Sequence, residues 1–121
     1  MTAHNQDPTV RWHSIRDFYD EFSRTNGWEF LKPMVFLTEW VADQPWAEGL
    51  YPNTSHEWLC VKLVPGYDSD VPFFACVARP DGQFECDLLS RVGRSLERRT
   101  FPVNEARSAF WNFVQRLNSA I

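Results

Sequence analysis

The sequence predicts an α+β domain: an N-terminal helix, an antiparallel meander of four to five strands and a C-terminal helix, with the helices packed on one face of the sheet. Three observations lead there. Apolar residues recur every three or four positions near each end of the chain. β-branched and aromatic runs fill the middle. Short turn sequences separate those runs, and strands joined by short turns favour antiparallel neighbours. The 121 residues suit one domain. At that size folding hides about two-thirds of the unfolded surface, so neither metal nor disulfide is needed.

Residues 1–8 are polar and read as a disordered tail, with the single domain over 9–121. The first helix spans 12–25, where Trp12, Ile15, Phe18, Tyr19 and Phe22 form one apolar stripe. Ser14 and Asp17 have the spacing of a capping pair, and Asp7-Pro8 offers an earlier start. Asn26-Gly27 supplies a left-handed residue to end the helix. Residues 34–42, rich in β-branched and aromatic side chains, read as a strand. A loop over 43–56 follows, with two prolines and a glycine. Loops of that length are often functional. Residues 57–64 read as a second strand with Leu59, Val61 and Leu63 on one face. Pro65-Gly66 and Asp68-Ser69-Asp70 then turn the chain.

The next hairpin is written most clearly. Residues 72–78 and 84–89 flank Arg79-Pro80-Asp81-Gly82-Gln83, which suits a type I turn with a bulge. Counting outward sets Cys76 opposite Cys86. Phe74, Cys76 and Ala78 then share a face with Phe84, Cys86 and Leu88, while Glu85 and Asp87 face water. Residues 94–101 read as a fifth strand after a turn near Val92-Gly93. The C-terminal helix begins at Asn104 as N-cap and carries the stripe Ala106, Phe110, Phe113, Val114, Leu117 and Ile121.

Charge is unevenly spread. Residues 1–87 hold 6 Lys+Arg against 14 Asp+Glu, a balance of −8, and residues 88–121 hold 6 against 2, a balance of +4. The residues allow two readings: a binding face, or opposite charges that meet in the fold. The net charge of −4 argues against a general nucleic-acid binder. The three cysteines are odd in number, lack CxxC spacing and lie in apolar runs. Reduced, buried thiols and a cytoplasmic location are the simplest account. Cys76 and Cys86, if cross-strand, also lie near disulfide reach. No apolar run has the ~18 residues of a membrane span, and the first residues have no leader-like pattern.

Nothing in the sequence points to catalysis. The five glycines are isolated, and GxSxG, HExxH and P-loop patterns do not occur. His13 lies four residues before Asp17 on one side of a helix, but no third ligand is placed, so no metal or other cofactor is expected. His56 ends the long loop without a partner to orient it as a base.

Trp46, Leu50 and Tyr51 in the long loop are the apolar residues a core least requires. They read either as a contact surface or as a lid that folds back. Arg91, Arg94, Arg98 and Arg99 form a basic segment suited to carboxylates or phosphates, with Arg94 and Arg98 pointing one way and Arg99 the other. These seven residues are the expected partner-binding set. The leading expectation is a non-enzymatic protein–protein interaction module, an inhibitor, immunity-type or chaperone-type binder of a partner protein, with homodimerisation as one use of the same surface. One alternative is a nucleic-acid-associated accessory protein using Arg91–Arg99. Another is a small-molecule binder or enzyme with its pocket near His56.

Overall fold

The computed structural model describes residues 7–66, 68 and 70–120. Five strands form one antiparallel sheet in sequence order: β1 (Tyr51–Ser55), β2 (Trp58–Lys62), β3 (Phe73–Ala78), β4 (Gln83–Arg91) and β5 (Arg94–Pro102). Helices α1 (Pro8–Ser23), α2 (Lys32–Ala42) and α3 (Ala106–Ser119) pack against it, so the α+β class stands.

Helix α1 starts at the earlier of the two expected caps. The Asp7 side chain accepts from the Thr9 N–H at 2.8 Å and Pro8 opens the helix, where a missing N–H costs nothing. Asp7 and Pro8 therefore belong to the domain, and the expected tail at residues 1–6 lies outside the described residues. The Ser14 hydroxyl is no cap; it donates to the Val10 carbonyl one turn back. Trp12 and Tyr19 are fully buried, whereas Phe18 sits at the edge of the stripe. The Tyr19 hydroxyl donates to the Glu57 carbonyl at 2.9 Å and ties α1 to the β1–β2 turn.

Residues 34–42 are helical, not a strand. Met34, Val35, Leu37, Thr38, Val41 and Ala42 are buried while Phe36 and Glu39 are exposed. That is a helical period, and Pro33 stands in the first turn. β propensity expresses fit to a half-buried pleat, and the burial of this stripe against α1 overrides it. The expected loop at 43–56 is also ordered. It contains a 3-10 helix, Pro45–Gly49, and then β1. β1 is polar and carries Pro52, as an edge strand tolerates.

Strands β3 and β4 pair in the expected register, with Cys76 opposite Cys86 as free thiols. At their turn the Arg79 N–H donates to the Gln83 carbonyl at 2.8 Å and Gly82 takes φ 82°. β5 follows the Val92-Gly93 turn, with register shifts between Leu88 and Arg91. The bulge changes the alternation, so Ser95 rather than Arg94 shares Asp87 with Arg98. A 3-10 helix, Val103–Glu105, precedes α3, so Asn104 lies inside that turn instead of capping. The stripe is otherwise as expected, with Ala109 added and Ile121 outside the described residues. Ser69 in the expected turn is likewise outside them.

The main core lies between the helices and one sheet face, where Phe110 meets Trp12 at 6.0 Å and Phe74 at 5.1 Å between ring centroids. On the other face, Cys60, Phe73 and Ala75 form a small second cluster beside Trp58 and Leu89. Glu85 and Asp87 point to that face but are not wet: Asp87 is 5 % exposed.

Candidate functional site

The structure folds the loop aromatics back toward the helices. Leu50 is 2 % exposed and belongs to the core, so it offers no surface to a partner. Tyr51, half-buried, lies under the Arg11 guanidinium, 4.3 Å from the ring centroid. Arg11 donates to the Glu48 and Leu50 carbonyls, which fastens the segment to α1. Trp46 sits half-buried between Trp40 at 5.6 Å and Trp111 at 4.8 Å, and stacks on Phe110.

This packing leaves an aromatic patch on the helix layer. Trp111 is 38 % exposed and Phe36 54 %. The Arg107 guanidinium lies 5.6 Å from the centre of the Trp40 ring. Phe36, Trp40 and Arg107 border a shallow hollow with Glu39 and His13. Of this group only Trp46 was in the expected set. The others carry a detectable trace in the sequence: Trp111 stands beside the C-terminal stripe, and Phe36 falls outside the stripe once 32–42 is helical.

The basic segment divides. Arg98 pairs with Glu85 at 3.3 Å and Asp87 at 3.2 Å. Arg79 shares Glu85 at 3.0 Å and lies over the Trp58 ring. Arg99 lies 3.9 Å from Glu97 and stacks over Phe101, and Arg116 reaches Glu97 at 2.9 Å. Arg91 and Arg94, at the exposed β4–β5 turn, have no ion pair among the described residues. Part of the positive C-terminal charge is therefore met by acidic residues of the preceding strand.

The open sheet face holds a cavity of about 490 Å³. Trp58, Cys60, Phe73, Ala75 and Leu89 supply apolar walls, and Lys62, Asp87 and Arg98 supply charge. Asp87 accepts from the Ser95 hydroxyl at 2.5 Å and from Arg98. Lys62 is 5 % exposed, and its ammonium donates to the Asp68 carbonyl at 2.6 Å. His56 is not on the wall; it is exposed at the β1–β2 turn. Burial pushes all three thiols up, with Lys62 drawing Cys60 partly back, so none is primed as a thiolate.

Among the described residues, no group of three or more His, Cys, Asp and Glu is placed to hold a metal ion. No helix among them is long and apolar enough to cross a membrane. No family model, curated protein or solved structure matches the chain.

Proposed function

We propose that this chain is a protein–protein interaction module that binds, and thereby holds or neutralises, a partner protein without catalysing a reaction. The observation that carries the proposal is the patch of Trp40, Trp46, Trp111 and Phe36 beside Arg107. Tryptophan and arginine dominate binding hot spots, because a large rigid ring gains contact area at small entropic cost. Clustered apolar exposure on a small domain marks an interaction surface more often than scattered exposure does. Three buried unpaired thiols suit work in a reducing cytoplasm.

The nucleic-acid reading has weaker support, since Arg98 already has two carboxylate partners. The two readings separate in one experiment. The chain is used to capture proteins from host extract with and without nuclease, and the affinity of the captured partner is measured. A Phe36→Ala/Trp111→Ala double variant should weaken it by about 2 kcal/mol or more, while Arg91→Glu/Arg94→Glu should leave it nearly unchanged. Unaltered affinity in the aromatic variant removes the patch as the interface. Loss of the catch on nuclease treatment supports the arginine segment instead. Concentration-dependent mass of the pure chain, abolished by the same aromatic variant, would make the partner a second copy.

A further inference from the structure

We infer that the open sheet face is a binding site for a small carboxylate with an apolar body, anchored by Lys62. The site lies on the opposite side of the sheet from the aromatic patch, so it does not depend on the partner-binding proposal. Lys62 stands on β2 in the cavity wall and is 5 % exposed. An ammonium has three donors and cannot accept. Here the structure gives it one hydrogen bond, to the Asp68 carbonyl, and a place over the Phe73 ring at 6.0 Å from the centroid, but no ion pair among the described residues. Removing a charge from water is costly unless a counter-charge accompanies it.

The other charges on this face are already matched. Glu85 takes Arg79 and Arg98, and Asp87 takes Arg98 and Ser95. Lys62 is left as the one uncompensated charge of the cavity among the described residues. A ligand carboxylate completes it by accepting the remaining N–H donors. Trp58, Phe73 and Leu89 then cover the ligand's apolar body. The volume of about 490 Å³ lies in the range of small-molecule sites, which combine apolar walls with a few placed polar groups.

The test uses three matched probes on the wild-type chain: 4-phenylbutyrate, 4-phenylbutanamide and 4-phenylbutylamine. Binding is followed by amide chemical shifts across the protein and by the Trp58 indole resonance. The acid should shift residues around Lys62 and Ala75 and bind at least about tenfold tighter than the amide, with the amine weakest, since a charge-assisted contact is worth that much or more. Lys62→Met keeps the stem and removes the charge, and it should abolish the preference for acid over amide. Equal binding of acid and amide, absence of shifts at these residues up to the solubility of the acid, or a preference that persists in Lys62→Met would each overturn the assignment. The probe comparison needs no variant, so the absence of an acid preference overturns the assignment even if Lys62→Met fails to fold.

Discussion

Phe113 and Leu117 are fully buried on α3, and Phe113 touches both Phe74 and Phe101 across the sheet. Truncating either to alanine removes contacts the rigid surroundings cannot restore. Each variant should lose roughly 2–5 kcal/mol, read from urea unfolding, and a loss under ~0.5 kcal/mol would mean that the inward face of α3 is another one. Their stripe was plain in the sequence because helical period is a local property. Trp46 shows the opposite case. Its ring joins a cluster drawn from three separate segments, and no local pattern specifies where such a ring lands. Asp87 is similar: alternation puts it off the main core, but Arg98 faces it from another strand and Ser95 reaches it only through the bulge there.

At the scale of elements, the β1–β2 hairpin carries a testable strain. His56 sits at its turn with φ 56°, where a side chain is disfavoured by about 1–2 kcal/mol. His56→Gly relieves this and adds freedom to the unfolded chain, so its urea midpoint should match or slightly exceed the wild type. His56→Val should lose at least about 1 kcal/mol, because a β-branched residue suits that backbone worst. An equal loss in both variants would assign the effect to the imidazole instead. The elements also explain which expectations failed. The β3–β4 hairpin was legible since turn chemistry and strand alternation agree on one register. Helix α2 was not, because its composition favours strands while its spacing favours a helix. β1 was missed because an edge strand needs little apolar pattern of its own. The five strands therefore include one segment that the sequence reads as loop and omit one that it reads as strand.

The whole molecule should respond to alkali. Burial raises the Cys76 and Cys86 thiols above their unfolded value, so above about pH 8.5 the unfolded chain loses thiol protons that the native chain keeps. The unfolded state then binds fewer protons, and stability falls as pH rises, by up to about 1.4 kcal/mol per pH unit for each thiol. Below that pH their contribution is full and constant. Urea midpoints should thus decline between about pH 9 and 10, and more gently in Cys76→Ala/Cys86→Ala. Equal slopes in the two proteins would show that these thiols ionise in the folded state too.

By itself the sequence determined the α+β class, α1, the β3–β4 register, β5 and the buried stripe of α3. All of these rest on periodicity or turn chemistry within about a dozen residues, which nearby backbone geometry enforces. Only the tertiary structure decided that 34–42 is a helix, that the loop aromatics close onto the helices, and that Lys62 lies unmatched in a cavity. Those outcomes depend on which distant surfaces compete for burial. Side-chain burial and charge pairing belong to the assembled layers rather than to any one segment, and so the candidate sites were less legible than the fold that carries them.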